Sequence, residues 1–423
     1  MKNLHDTLRK QYPTEKLQLL ITTSNAKAKT YDGIAVGGER VTYEIERHIK
    51  KLRQRGFRAR KISFVGYSMG GLIARYAVGL LQHNGYLDIM EPVNFTTFAT
   101  PHLGAEVTIL GGMNGLLDNA VSRRLSVTGS QLFLVDEHLG TRRPLLSLMA
   151  EEGSVFDEGL RRFRRRTAYG NVVGDYCVPY STAALEPDAT LTSTHEVKQA
   201  SPLALEQQVI LNPEEHPGLH QPHSLSSAAT GLKRAAAITT LALLSPLYIP
   251  PVIAYSAYQT CRSQRRLAQH RSGRSSIDPE RYCLHFSSQD AVTIEDGRPP
   301  NWDKEKQPAV QIRCLLPTPP PSPPATPNAS TCSLPVSSIR PKVSDKTSDR
   351  GTLLPPVEAE PERVRVKREA ARSLSSMGWT RLPVLIRQTK HAHAAIIARS
   401  PKARFAEGQV VCEHMAKGFQ LGF

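Results

Sequence analysis

No two of the six cysteines, at 177, 261, 283, 314, 332 and 412, share the C-x-x-C spacing. Zinc sites and disulfide frameworks are recognised by such spacings, so neither is expected, and a reducing compartment fits. The opening segment MKNLHDTLRKQ has no apolar core of the kind a secretory signal peptide needs. With no secretory route expected, the sequon matches at Asn94 and Asn328 read as chance. Nucleic-acid motifs are missing as well: there is no finger spacing and no aromatic–glycine signature of an RNA-binding sheet. Internal repeats are absent too.

What the chain does have is positive charge. Its 54 Lys and Arg against 38 Asp and Glu give a net charge of +16. Basic residues gather at Arg161, Arg162, Arg164, Arg165 and Arg166; at Arg262, Arg265, Arg266, Arg271 and Arg274; and at Arg363, Arg365, Lys367 and Arg368. Such clusters suit anionic partners, membrane headgroups or nucleic acid; solvated basic loops are the plainer reading. The 423 residues, 40% of them apolar, are enough for one large domain with insertions or for two smaller ones.

Residues 1–187 read as alternating helices and strands, the pattern of an α/β fold with a mostly parallel sheet flanked by helices. Helices are expected over 4–12, 37–52 and 71–81, and strands over 17–22, 61–65, 93–99 and 167–173. Residues 188–297 read as an insertion that contains an apolar run, Ala235 to Tyr258. The run is long enough to span a bilayer. Pro246, Pro250 and Pro251 break it, so a hairpin entering and leaving one side fits better than a straight helix; burial in the core is the other reading. Residues 298–380, almost pure Pro, Ser, Thr and Ala between 317 and 327, read as a low-complexity linker. The core resumes at 381–423 with a strand at 383–387 and a last helix at 406–417.

Chemistry enters at Gly66-Tyr67-Ser68-Met69-Gly70. A bare G-x-S-x-G is weak. Here the apolar strand Ile62-Ser63-Phe64-Val65 runs into it and a helix runs out, the arrangement that lifts a serine hydroxyl above a sheet. Ser68 is therefore the expected nucleophile and the Met69 N–H an expected oxyanion donor. A serine needs a base, and the base an orienting acid. In chain order the acid comes next: Asp175 follows a strand by one glycine, whereas Asp157 and Asp188 follow none. The base must come later. His393 is preferred and His391 is second, because both lie between the last strand and last helix. His195, His216, His220, His223 and His270 lie in polar or basic stretches. His102 precedes the acid and reads as a loop residue near the site.

Five stretches, GYSMGGLIARYAVGLL, EPVNFTTFATPHLG, GSQLFLVDEHLGTRRPLLSLMA, RRFRRRTAYGNVVGDYCVPYSTAAL and HAHAAIIARS, resemble the fungal serine esterases of the lipid-droplet phospholipase type. The resemblance covers about 5–187 and 381–420. It implies an α/β-hydrolase fold, hydrolysis of acyl esters in lipids without a cofactor or metal, and a triad of Ser68, Asp175 and the histidine of HAHAAII. It also implies an apolar first strand ending in His-Gly-Leu-x-Gly, which would supply a second oxyanion donor; no such segment precedes Leu4, so the expectation is a weakened enzyme. The expected partners are a lipid substrate and a membrane or lipid-droplet surface, not nucleic acid, and the expected location is cytoplasmic and not secreted. The rival expectation is a non-catalytic, membrane-associated protein of the same fold.

Overall fold

A computed structural model describes residues 1–105, 126–138, 141–186, 209–211, 251, 254–275, 277–278, 280–282, 284 and 362–421. Four of the apolar segments become strands: β1 (Lys61–Tyr67), β2 (Glu91–Phe98), β3 (Arg165–Asn171) and β4 (Trp379–Val384). They pair side by side in chain order, every pair parallel. Parallel neighbours need a crossover between them, and the crossovers supply helices that cover the sheet on both faces. The α/β class expected from the sequence is the class observed.

Side chains alternate along each strand, so the two faces have separate cores. On one, Phe64, Phe95, Ala168 and Trp379 meet α2 (Ile34–Gln54), α3 (Met69–His83), α4 (Val155–Arg161) and α6 (Glu362–Ser375). Phe95 sits at its centre, with Phe163 and Trp379 edge-on at 5.5 and 6.0 Å. On the other, Phe98 and Tyr169 stack at 4.7 Å. They pack with Val384 against α1 (Lys2–Gln11), α7 (Ala392–Ala395) and α8 (Ala406–Gly418).

Three expectations need correction. Residues 17–22 form no strand: they are irregular, and Leu20 and Ile21 are 40% and 41% exposed. An apolar run cannot make a strand without a backbone partner, and among the described residues none lies alongside. The linker expected to run to 380 ends by Glu362, where α6 begins. Its charged sequence hides an i, i+4 stripe of Val366, Ala370 and Leu374 that packs on the core. The last strand lies at 379–384 rather than 383–387, because pairing of Trp379–Val384 with Arg166–Asn171 sets its bounds. Beyond it, Ile210 bridges Val384 in antiparallel sense.

Most of the run 235–258 lies outside the described residues. No helix among the described residues is long and apolar enough to cross a membrane. Residues 254–271 form a helix, α5. All these elements belong to one unit, Met1–Asn301 with Glu362–Phe423; the intervening Trp302–Pro361 lie outside the described residues.

Helix α5 is bolted to the core through Asp32, which is fully buried. Arg266 Nη2 donates to its Oδ1 at 2.6 Å, Ser263 Oγ donates to Oδ1 at 2.7 Å, and Arg40 Nη2 donates to Oδ2 at 2.7 Å. Burial alone would raise the Asp32 pKa; the hydrogen bonds from Arg266, Ser263 and Arg40 override it and hold the carboxyl below the usual range. A carboxyl depressed on folding stabilises above its unfolded pKa, and that contribution fades as pH falls through the folded value. Asp32→Asn is therefore expected to cost about 2 kcal/mol at pH 7, since it leaves two guanidinium groups short of a counter-charge. Below about pH 4 the gap between wild type and variant should narrow, and it closes only below the lower folded value. Denaturant melts at pH 7 and pH 3 check this; an equal gap at both would refute it.

Candidate active site

Ser68 stands between β1 and α3 with φ 54° and ψ −134°, a left-handed conformation that a non-glycine residue adopts only when its surroundings impose it. The constraint comes from glycines and from one threonine. A Cβ on Gly66 would lie 2.4 Å from the Gly71 Cα, and one on Gly71 would lie 2.2 Å from Thr100 Oγ1. These two absent side chains let strand, turn and helix close on one another. Thr100 Oγ1 then donates to the Ser68 carbonyl at 3.0 Å, and the Ser68 N–H donates to the Phe98 carbonyl at 2.9 Å. Gly70, the last residue of the motif, has open space where its Cβ would be. Close packing thus explains Gly66 and Gly71 but not Gly70.

Asp175 and His393 meet this serine from the far ends of β3 and β4. His393 Nε2 lies 2.9 Å from Ser68 Oγ, and its Nδ1 lies 2.9 Å from Asp175 Oδ2. The Asp175 side chain is 1% exposed and that of His393 is 21% exposed. A buried carboxylate needs donors, and Asp175 has three more. Asn171 Nδ2 donates to Oδ2 at 2.8 Å, while the N–H groups of Cys177 and Val178 donate to Oδ1 at 3.0 and 2.9 Å. Because a carboxylate oxygen only accepts, the His393 proton belongs on Nδ1, and Nε2 faces the serine hydroxyl as an acceptor.

His393 is itself positioned from two sides. Tyr67, the residue before the serine, donates its hydroxyl to the His393 carbonyl at 2.8 Å, and its ring lies 5.2 Å from the imidazole. Burial pushes the Tyr67 hydroxyl up to about 12, so it stays a donor at neutral pH. Behind α7, Gly408 of α8 lies so close that a Cβ there would fall 1.6 Å from the Ala395 carbonyl oxygen.

Met69 is the first residue of α3, where a backbone N–H has no acceptor within its helix. The N–H groups of that first turn favour negative charge at the serine. Deeper in α3, Arg75 is fully buried and donates to the carbonyls of His102 and Met149 at 3.2 and 3.0 Å. Burial lowers its pKa to about 10. His102, expected near the site, is wholly buried in the fold. Its Nε2 lies 3.0 Å from Thr97 Oγ1, and burial, with Arg75 close by, drives its pKa well below the usual value.

The structure thus brings Ser68, Asp175 and His393 together. His391 precedes α7 as its N-cap, is exposed, and forms no part of this chain of hydrogen bonds. Asp157 caps the first turn of α4 and pairs with Arg161. His270 faces Glu39, 2.5 Å away. Asp188, His195, His216, His220 and His223 lie outside the described residues. Sequence reasoning missed Asn171 and Tyr67. Asn171 lies four residues before Asp175 and Tyr67 sits inside the serine motif, so adjacency was the available signal. The described residues include no cluster of three or more metal-ligating side chains.

Residues 1–189 match the family described as "Putative serine esterase (DUF676)". "Putative lipase ROG1" of Saccharomyces cerevisiae is 34% identical over 178 residues, 42% of this chain and 24% of that protein. "Putative lipase C4A8.10" of Schizosaccharomyces pombe is 35% identical over 130 residues, 30% of this chain and 16% of that protein. "Putative lipase YDL109C" of Saccharomyces cerevisiae is 35% identical over 127 residues, 30% and 19% of the two chains. The matched stretches thus span under a quarter of each of these relatives' own length. No solved structure matches. The family match contains Ser68 and Asp175 and ends before His393. Over residues 1–189 the resemblance to serine esterases read from the sequence motifs stands, and it supports a hydrolase role.

Proposed function

We propose that this chain, whose first 189 residues match the serine esterases, is a serine-dependent lipid esterase acting on acyl esters at a membrane or lipid-droplet surface inside the cell. One observation carries the reading: an unbroken chain of hydrogen-bond distances, 2.9 Å from Ser68 Oγ to His393 and 2.9 Å from His393 to Asp175. Ser68 attacks the ester carbonyl while His393 Nε2 takes its proton. The N–H of Met69 receives the developing oxyanion. His393, now an imidazolium steadied by Asp175, returns the proton to the departing alcohol. Water then enters by the same route and hydrolyses the acyl-enzyme. No cofactor is needed at any step. Lipid as the substrate class is supported by the names of the similar yeast proteins and by the apolar run 235–258 in the sequence.

A fluorophosphonate probe tests the chemistry, because it labels only a serine activated by its base. Wild type should be labelled and Ser68→Ala should not. Well-folded wild-type protein that takes no label would overturn the enzyme reading and favour a non-catalytic protein of the same fold.

A further inference from the structure

Three basic clusters stand out in the sequence, and the fold treats them differently. The first is used up internally. Arg161 pairs with Asp157, Arg162 with Asp88 and Arg164 with Glu91. Arg165 donates to the Gly418 carbonyl, and Arg166 to the carbonyls of Leu160, Arg161 and Phe163. In the third, Arg365 faces Glu369 at 3.9 Å, and Arg363, Lys367 and Arg368 each have a partner.

The second cluster, on and just after α5, is different. Arg266 turns inward to Asp32, but Arg262, Arg265, Arg271 and Arg274 are exposed, and among the described residues no carboxylate pairs with them. From 254 to 275 the sequence has no Asp or Glu at all. Tyr255, Tyr258, Arg262 and Arg265 follow at intervals of three, four and three, so they share one helix face. Tyr255 and Tyr258 are 58% and 55% exposed, and the Arg262 guanidinium lies over the Tyr258 ring at 5.6 Å. The inner side of α5 is fixed by Ser263, Arg266, Leu267 and His270.

Resting on the esterase reading above, we infer that the outer face of α5 docks on anionic lipid headgroups. Exposed tyrosines beside arginines that have no carboxylate partner among the described residues suit a water–lipid boundary, where rings sit at headgroup level and guanidinium groups meet phosphates. A duplex or single-stranded nucleic acid would meet the arginines equally well. It leaves unused the apolar run that enters α5 directly in the sequence. Packed elements run from the docking face to the nucleophile. Helix α5 is tied to Asp32 at the start of α2, Gly37 and Gly38 of α2 lie against Ile73 and Tyr76 of α3, and α3 begins at the nucleophile.

The test uses the full chain and two vesicle types, phosphatidylcholine alone and phosphatidylcholine with phosphatidylserine. Wild type should sediment preferentially with the anionic vesicles. The doubly substituted R262Q/R265Q protein should lose roughly tenfold or more of that anionic binding, while cleaving a soluble short-chain ester and taking the fluorophosphonate label as wild type does. Unchanged anionic binding in the variant overturns the docking face, and so does Arg-dependent binding that goes to RNA without preference for anionic vesicles. If wild type takes no label yet its vesicle binding still depends on Arg262 and Arg265, the esterase reading fails and the docking face stands.

Discussion

His393→Ala is expected to lower kcat/KM on a soluble short-chain ester about as far as Ser68→Ala does, and the double variant little further. The three side chains form one proton path, so breaking it once removes most of what the path contributes. The drop should be on the order of ten-thousandfold or more. The His393 side chain is only 21% exposed, so each variant's melting temperature belongs beside its rate. His391→Ala serves as the control: its exposed ring has no link to the site, and its rate should stay near that of wild type. Full activity in His393→Ala would remove that residue as the base and return attention to His391.

Gly408→Ala is expected to damage both stability and turnover, although Gly408 has no chemistry to offer. The added methyl would fall 1.6 Å from the Ala395 carbonyl oxygen and 2.9 Å from the Ala398 nitrogen. Both are backbone atoms, so no side-chain rotation relieves the clash, and α7 and α8 must separate. The expected loss of stability is about 3 kcal/mol. Since α7 carries His393, a shift of an ångström at the imidazole should also cost about a hundredfold in turnover. Chemical denaturation measures the first effect and the rate on folded protein the second. A variant with wild-type stability and turnover would show that the two helices have room to part.

Much of this was legible beforehand, for identifiable reasons. Ser68 could be found because an elbow needs a strand before it and a helix after it, and both leave local patterns. Asp175 and His393 could be found because the fold hangs its acid and base after successive late strands. Residues 17–22 misled because an apolar run records which side chains want burial, not whether a backbone partner exists. Helix α6 was missed because its apolar stripe is narrow and set among charges. Gly408 could not be singled out at all. Its importance lies in a contact with Ala395, and one glycine in a helical sequence looks like any other.

The distance along the chain between acid and base has its own consequence, during synthesis. His393 lies 218 residues beyond Asp175. At roughly 5–20 residues per second, a ribosome needs on the order of ten to forty seconds to cover that interval. Throughout it β3, buried on both faces in the finished protein, waits without the strand that will pair with its outer edge. The nascent chain then presents an open apolar ladder, the kind of surface that recruits chaperones or joins a neighbouring copy. The same delay keeps Ser68 and Asp175 without His393, the side chain that links them, until β4 and α7 have been made.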